Sequence, residues 1–379
     1  MKAEGGRRTT DGRDAAYVAP DFATQPLSGA PAARTAPAPG DGVLPDGFFA
    51  TTNLPTYVKD AHGTWTLPHE PRMDGCIVRG PDGAWWVREA RRVKRGDDIV
   101  IGLAEDGSEG VLVHARGFEP PDSSLFSGDF HFMSSQVSRE KPIDYRHIAR
   151  MLVDERAREG RVIWVTGPAL VHSRARDNLV WFIRNGFVQA LLAGNAVAAH
   201  DIESAVVGTT LGMDAAGEPT ERGHSAHMRA INSVRRAGSI ANAVRDGIVR
   251  TGIMHACVVE GVPFVLCGSI RDDGPLPDVI TDAVAAQDAM REHTVRATMA
   301  VMIATALHSI AVGNMLPAYY EDPVRGIVEL PTVCVDASEF LVSKLKDRGT
   351  HQAIGVVTNA QDFMSILRAA VEKEIGERG

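Results

Sequence analysis

The chain has 379 residues, of which 44% are hydrophobic and 23% are charged, a composition typical of a globular protein with at least one large core. The length predicts two folded domains. The formal net charge of -8 argues against a nucleic-acid partner, and the one basic cluster, REARRVKR at 88–95, is typical of a solvated strand or turn.

The first 118 residues predict a leader and a small β domain. Residues 1–43 are rich in Ala, Pro, Gly, Arg and Thr and lack an apolar period, which predicts a disordered leader. Residues 44–118 contain short alternating runs such as TTNLPTYV, DDIVIGL and GVLVHARGF between DG and GD turns, and this pattern predicts a small β domain. A turn-rich connecting segment follows at 119–142.

In residues 143–379, short apolar runs alternate with helical segments. This alternation predicts one doubly wound α/β domain whose parallel sheet is buried on both faces. Such sheets bind ligands beyond the carboxyl ends of their strands, so the residues that end the runs are site candidates. These residues are Gly167, Gly194, Asn195, Thr305, Asp336, Thr358 and Asn359.

The segment 265–293, VLCGSIRDDGPLPDVITDAVAAQDAMREH, places an arginine and several carboxylates directly after an apolar run. We expect a buried strand that ends at a site, followed by a stiff GPLP turn. The polar side chains held there are Arg271, Asp272, Asp273 and Asp278. The alternative is a structural turn with solvated acids, but the recurrence of the same construction along the chain favours a site.

Cysteine and histidine usage predicts neither disulfides nor a metal ion. The four cysteines form no CxxC pair and lie among aliphatic residues, which indicates buried, reduced thiols. No histidine pair falls in a HExxH frame, so we expect no metal. Neither a signal-peptide pattern nor an apolar stretch long enough to cross a bilayer is present, and we expect a cytoplasmic protein with no membrane partner.

The strand-end residues suit a nucleotide cofactor in part. Glycines there let backbone amides approach a pyrophosphate, and an acid accepts hydrogen bonds from a ribose. Gly167 and Gly194 are such glycines, and Asp336 is such an acid. No GxGxxG follows any strand, however, so the residues alone leave such a cofactor open. No serine lies in a GxSxG elbow, and the many carboxylates and histidines favour proton transfer beside a cofactor that performs the electron chemistry.

Eight strings are long enough to be specific for a protein family: TTNLPTYV, PRMDGCIV, FMSSQVS, GNAVAAHDIE, RAINSVRRAGSI, GSIRDDGPLPDVITD, LHSIAVGNMLP and DRGTHQAIGVVT. Together they resemble the archaeal-type ornithine cyclodeaminase family, also labelled LOR/SDH, and the C-terminal half of cyanobacterial arginine dihydrolase fusions. The resemblance covers about residues 47–370. It implies an NAD site in a Rossmann variant similar to that of deoxyhypusine synthase, which lacks GxGxxG.

The resemblance also implies a set of cofactor-binding residues. The set is Asn195, Ala196, Asp273, Thr305, Ala306, Leu307, His308, Asp336, Asn359 and Ala360. The acid/base candidates are Asp272, Asp278 and His224.

In the β domain, the substrate-binding candidates are Asn53, Thr56, Tyr57 and Arg72. Arg72 is the natural bidentate partner of the substrate carboxylate. The alternative is that Thr56 and Tyr57 are ordinary strand residues and that Arg72 is a surface charge.

The reaction that the resemblance implies converts ornithine to proline and ammonia. NAD+ accepts a hydride from the α-carbon, the δ-amine attacks the resulting imine, ammonia leaves, and the hydride returns to the cyclic imine. Departures from the family pattern, at Leu54, His255, Ala256 and an insert after Pro317, leave the amino-acid substrate open.

Three alternatives to ornithine cyclisation are compatible with the sequence. The first is a cyclodeaminase or dehydrogenase for lysine or another diamino acid. The second is a transferase similar to deoxyhypusine synthase, which depends on a lysine nucleophile, whereas Lys344 and Lys346 lie in a helical stretch here. The third is an NAD-binding amino-acid sensor without turnover. A homo-oligomer is expected in each case.

Overall fold

The computed structural model describes residues 17–115, 117, 118, 143–214, 218–221, 223–272, 274–339, 342 and 353–378. The predicted connecting segment at 119–142 and Asp273 lie outside the described residues. The chain divides into two compact units. The described residues of the first unit belong to Met1–Pro142 and Asn314–Leu330, and those of the second to Ile143–Gly313, Pro331–Arg348 and Gln352–Gly379.

The first unit is built from small antiparallel sheets. The larger one has the order β1-β6-β4-β5, formed by Arg34–Pro37, Asp98–Ile101, Cys76–Arg79 and Trp85–Arg88. A second has the order β3-β2-β7, formed by Trp65–Thr66, Thr56–Lys59 and Val111–Val113, and a hairpin joins β13 (Tyr319–Asp322) to β14 (Gly326–Glu329). Inward-facing residues of the first two sheets, among them Val58, Ile77 and Val100, share one core.

Strand β1 lies within the stretch 1–43, where the composition predicts a disordered leader. It pairs with β6 at the edge of the sheet, a position that tolerates proline because one side of an edge strand makes no ladder hydrogen bonds. The buried ammonium of Lys59 also donates to three carbonyls of residues 27–30, at 2.7, 3.2 and 3.3 Å. The prediction of disorder is therefore wrong for residues 17–43.

The segment Asn314–Leu330 also departs from expectation, because it belongs to the first unit although it lies inside the predicted 143–379 domain. The amide of Ala318 donates to the carbonyl of Asn53 at 2.8 Å, within that unit. The insert after Pro317 is thus the β13–β14 hairpin of the first unit.

The second unit is built on a seven-stranded sheet whose neighbouring strands are all parallel. Its order is β11-β10-β9-β8-β12-β15-β16, formed by Val279–Ile280, Phe264–Cys267, Ala190–Gly194, Val162–Thr166, Met299–Ile303, Thr332–Asp336 and Ala353–Val357. Apart from β11, this is the 3-2-1-4-5-6 order of doubly wound folds. The predicted α/β architecture, a small β domain followed by a doubly wound parallel sheet, is confirmed.

Ten helices in the described residues accompany this sheet: α1 Tyr145–Ala157, α2 Ala169–His172, α3 Arg176–Arg184, α4 Asn195–Val206, α5 Ala226–Ala237, α6 Ile240–Arg245, α7 Ile253–Val259, α8 Ala283–Thr294, α9 Ala306–Met315 and α10 Ala360–Arg378. The side chains of Asp144, Ser239 and Asp282 cap α1, α6 and α8 by accepting an amide hydrogen bond. None of the helices in the described part of the chain combines the length and apolar character that crossing a bilayer requires.

A fully buried carboxylate joins three of these helices. Asp201 on α4 accepts from Arg176 Nε of α3 at 2.6 Å and from the amides of Ile253 and Met254 at 2.9 and 2.8 Å. Those amides begin α7, whose N-cap residue, Gly252, has no side chain to satisfy them. Asp201 therefore caps α7 from a neighbouring helix while it pairs with Arg176, and these partners oppose the burial that raises its pKa.

Asp201→Asn is expected to destabilise the second unit by about 3–5 kcal/mol, because Arg176 loses its buried counter-charge. Asp177→Asn is the matched control, since Asp177 lies 3.8 Å from Arg176 but its side chain is 89% exposed. The control is expected to cost less than about 0.5 kcal/mol. Equilibrium unfolding in urea measures both changes, and equal losses would contradict the role of the buried carboxylate.

Candidate functional site

The carboxyl ends of the parallel strands bring several predicted cofactor residues to one edge of the sheet. Asn195 and Ala196 open α4 directly after β9, while Thr305 separates β12 from α9, which begins at Ala306. The N-cap of α4, Gly194, makes no side-chain hydrogen bond to the first-turn amides. Amides at such a helix N-terminus are suited to bind an anion such as a phosphate.

The switch point of the sheet lies between β8 and β12, where the backbones approach closely. The amide of Gly167 donates to the carbonyl of Ile303 at 2.9 Å, and a Cβ on Gly167 would overlap the carbonyl oxygen of Ala304. On the neighbouring strand, a Cβ on Gly194 would lie 2.8 Å from Cε1 of His308. Glycine is required at Gly167 because backbone atoms fill the space, whereas a side chain at Gly194 would displace the ring of His308.

Asn195 links the end of β9 to the acidic loop that follows β10. Its Nδ2 donates to Asp272 Oδ1 at 3.0 Å, and its Oδ1 accepts from the amide of Leu276 at 3.1 Å. The other carboxylate oxygen of Asp272 accepts from the amide of Ser269 at 2.8 Å. A predicted cofactor residue and a predicted acid/base residue are thus in contact, and each fixes the orientation of the other.

The remaining predicted cofactor residues differ in what their side chains contact. Asp336 ends β15 and accepts one amide hydrogen bond, from Ser338 at 2.9 Å. Leu307 is 82% exposed in the first turn of α9, although its side chain is a large aliphatic one. Asn359 caps α10 instead, because its Oδ1 accepts from the amide three residues later at 2.8 Å, and the next residue, Ala360, is buried.

His308 is a neutral imidazole at this edge. Burial lowers its pKa below the usual value, so the charged form is disfavoured at neutral pH. The Oγ1 of Thr305 lies 3.4 Å from its Nδ1. The ring is therefore held between the start of α9 and the end of β9, where it is able to accept or donate one hydrogen bond.

The other two acid/base candidates have different surroundings from Asp272. One oxygen of Asp278 accepts from the amide of Ile240, the first residue of α6, at 2.8 Å. Burial raises the pKa of Asp278 in spite of that amide. This hydrogen bond gives Asp278 a structural role at the start of α6. The backbone of His224 lies in the 3-10 turn Gly223–Ser225, and its side chain is outside the described part of the structure.

The predicted substrate residues all belong to the first unit. Asn53 is buried, and its Nδ2 has no hydrogen-bond partner among the described residues. Thr56 donates to the carbonyl of Leu54 at 3.1 Å, while the Tyr57 hydroxyl lies 3.0 Å from that of Tyr17. Burial raises the pKa of Tyr57, so its phenol stays protonated at neutral pH.

Arg72 is buried and paired, which the alternative of a surface charge does not predict. Its Nη1 donates to Glu89 Oε1 at 2.6 Å, its Nε donates to the Met73 carbonyl at 3.1 Å, and the residue is 9% exposed. Burial acts to raise the pKa of Glu89, but hydrogen bonding and the charge of Arg72 outweigh it and lower that pKa. Arg72 is therefore a buried cation paired with Glu89 rather than a surface charge, and its role as a carboxylate ligand stays a prediction.

The sequence patterns do not predict a cluster formed by His200, Glu203 and His227, with His172 against it. Burial, followed by the charge of His200, lowers the pKa of His227, and the same two causes lower that of His172 to about 4. The cluster lies outside the HExxH frame because its groups come from different helices. The only sequence signal is the spacing of His200 and Glu203 within GNAVAAHDIE.

Residues 146–367 match the C-terminal Rossmann-fold region of the arginine dihydrolase ArgZ-like family, and residues 55–146 match the first region of the same C-terminal part. A protein of Methanopyrus kandleri named ornithine cyclodeaminase is 46% identical over 339 residues, which are 88% of this chain and 77% of that protein. The chain belongs to the ornithine cyclodeaminase family. The resemblance carried by the eight strings is confirmed.

Solved structures of relatives agree with membership of the ornithine cyclodeaminase family. A conserved putative LOR/SDH protein from Methanococcus maripaludis has a TM-score of 0.81 and 41% identity, covering 91% of this chain and 99% of that chain. The AgrE protein of Nostoc, named bifunctional arginine dihydrolase/ornithine cyclodeaminase, is 39% identical over 90% of this chain and 47% of its own length. A ternary complex of AgrE with ornithine and NAD+ has a TM-score of 0.58 and 36% identity. The match covers 92% of this chain and 47% of the AgrE chain.

Asn195→Ala is expected to loosen the loop after β10, because it removes the bond to Asp272 and leaves the Leu276 amide without an acceptor, a loss of about 1–3 kcal/mol. Hydrogen exchange of the amides at 269–276 measures this loosening. Asn185→Ala is the control. Among the described residues, the Asn185 side chain makes one hydrogen bond, to a carbonyl of its own helix at 2.8 Å. Unchanged exchange at 269–276 in Asn195→Ala would contradict the link.

Proposed function

We propose that this chain is an NAD-dependent ornithine cyclodeaminase, which converts L-ornithine to L-proline and ammonia. The observation that carries the proposal is the carboxyl edge of the sheet, where Asn195 contacts Asp272 and His308 lies against Gly194, within a chain of this family. Carboxylate, amide and neutral imidazole groups together suit proton transfer at carbon atoms that bear amines.

The same edge fits a dinucleotide. The helix α4 begins with no side-chain cap on its N-terminus, and Gly167 lets two backbones approach at the switch point. The carboxylate of Asp336, at the end of β15, has the chemistry to accept hydrogen bonds from a ribose diol, and exposed Leu307 offers an apolar surface to a ring. We propose these residues, with Asn195 and Thr305, as the NAD site.

The roles of the protein residues follow from their surroundings. When bound, NAD+ supplies the hydride acceptor that makes the substrate carbon electrophilic. Asp272, held by Asn195 and by the Ser269 amide, is the proposed group that takes a proton from a substrate ammonium and returns it to the departing ammonia. Neutral His308, against Gly194 at the end of β9, is the proposed hydrogen-bond partner of the substrate.

We also propose a cytoplasmic location and a homo-oligomeric state. The location rests on the four cysteines, Cys76, Cys257, Cys267 and Cys334, which are all free and buried. Free thiols are usual in the reducing cytosol. The oligomeric state rests on the broad helical faces of the second unit, and sedimentation of the purified protein measures it.

The decisive experiment is incubation of the purified protein with NAD+ and L-ornithine, with proline, ammonia and NADH measured together. Proline and ammonia are expected in equal amounts, without accumulation of NADH, because the hydride returns within each turnover. Accumulating NADH would indicate a dehydrogenase instead. NAD binding without any product would indicate a sensor, or a different diamino acid as the substrate.

Asp336→Ala is expected to weaken NAD binding by about 10–100-fold, because the ribose would lose its hydrogen bonds to a charged carboxylate. Isothermal titration of the purified variant with NAD+ measures the affinity. Glu292→Ala is the control, because Glu292 is an exposed acid near the end of α8, beside the opposite, amino edge of the sheet. Equal NAD affinity in Asp336→Ala and the control would remove Asp336 from the site.

A further inference from the structure

Three side chains on two packed helices of the second unit bring metal-ligand atoms together. Helix α4 carries His200 and Glu203, which are three residues apart and share one face. Helix α5 packs against α4 and contributes His227. One ligand atom from each residue lies within 4.8 Å of the other two.

The distances in the cluster are those of ligands around a shared ion, and the one direct bond among them, from His200 to Glu203, is long. Oε2 of Glu203 lies 3.3 Å from His200 Nδ1 and 3.9 Å from His227 Nδ1. A charge-assisted hydrogen bond is about 2.7–2.9 Å long. Two ligands at about 2.0–2.1 Å from a tetrahedral zinc ion are about 3.3 Å apart. A small inward shift of the partly exposed His227 ring completes the set.

The burial of the cluster is a second, independent observation. Glu203 is 0% exposed, and its Oε1 accepts from Thr209 Oγ1 and from the Gly212 amide, both at 2.9 Å. Its Oε2 faces the two histidines. The Nδ1 of His227 is buried and has no hydrogen-bond partner among the described residues. A buried polar atom without a partner is costly, and a cation between Oε2 and the imidazoles would remove that cost.

We propose that His200, Glu203 and His227 bind one divalent cation of the zinc type, through two imidazole nitrogens and one carboxylate oxygen. Imidazole ligands suit zinc and its transition-metal neighbours, whereas magnesium and calcium prefer oxygen ligands alone. Three protein ligands leave one tetrahedral position for a water molecule. The ring of His172 packs against that of His200, with the two centroids 4.5 Å apart.

The ion would connect two parts of the second unit. It would join α5 to α4, and through Glu203 it would also brace the turn at Thr209 and Gly212. None of its three ligands is among the residues proposed for NAD, and the test below reads metal binding without substrate or cofactor.

Equilibrium dialysis tests the proposal on the untagged, full-length protein after treatment with a chelator. One Zn²⁺ per chain is expected, together with a thermal midpoint that rises with free metal concentration. Co²⁺ in place of Zn²⁺ is expected to show the visible d–d absorption of tetrahedral nitrogen and oxygen ligands. Sulfur-to-cobalt charge transfer would locate the ion on cysteine and overturn the proposal, as would the absence of stoichiometric binding.

Variants locate the ion within the chain. His227→Gln and Glu203→Gln are each expected to weaken Co²⁺ affinity at least about tenfold. Substitution of a residue that only contacts a metal ligand already has an effect of that size. His293→Gln is the matched control, because His293 is a half-buried histidine of the same unit that contacts Arg161 at 3.1 Å. The control is expected to retain full affinity.

His227→Gln is the more informative of the two variants because the side chain of His227 is 38% exposed, so the fold is expected to survive its replacement. Circular dichroism of each metal-free variant checks this. Wild-type Co²⁺ affinity in a folded His227→Gln protein would overturn the proposal. Metal binding is read without ornithine or NAD, so a failure of the proposed function would leave this result unaffected.

Discussion

The close approach of β8 and β12 is the constraint on which the second unit depends. The two strands are neighbours in the sheet but lie far apart in the chain, and their backbones meet where Gly167 has no side chain to separate them. From this point the two halves of the sheet extend in opposite directions, and a crevice opens at the carboxyl edge. The segments that follow β9, β10, β12 and β15 reach that edge because the strands are parallel.

Much of this arrangement could be predicted from the sequence. Continuous apolar runs predict the parallel sheet. The residues that end these runs include Asn195, Thr305 and Asp336, which the structure brings to one edge of the sheet. The edge strand β1 could not be predicted in the same way, because its proline-rich sequence has no apolar period and its position is fixed by pairing with β6. The contact of Arg72 with Glu89 could not be predicted either, because it depends on the register of the β4–β5 pair that lies between them.

A polar residue after a strand has two possible roles, and the sequence does not separate them. Asn195 and Asn359 both stand where a strand passes into a helix. Asn359 turns its side chain to the first amides of its own helix, whereas Asn195 reaches across to the loop of Asp272. The chemical group is identical, and only the packing of neighbouring segments decides whether it caps a helix or organises a site. Strand-end position therefore predicts candidates, while their contacts determine what they do.

Helix α4 connects the proposed active site to two buried charged groups of the second unit. Its first residue, Asn195, holds the loop of Asp272, its middle residue Asp201 is tied to α3 and α7, and Glu203, near its end, faces the histidine cluster. Buried carboxylates are costly unless paired, so the partners of Asp201 and Glu203 fix the position of the helix along its length. A rigid α4 holds the Asn195 amide in register with Asp272. The orientation of the proposed acid/base group thus depends on charges buried several residues away.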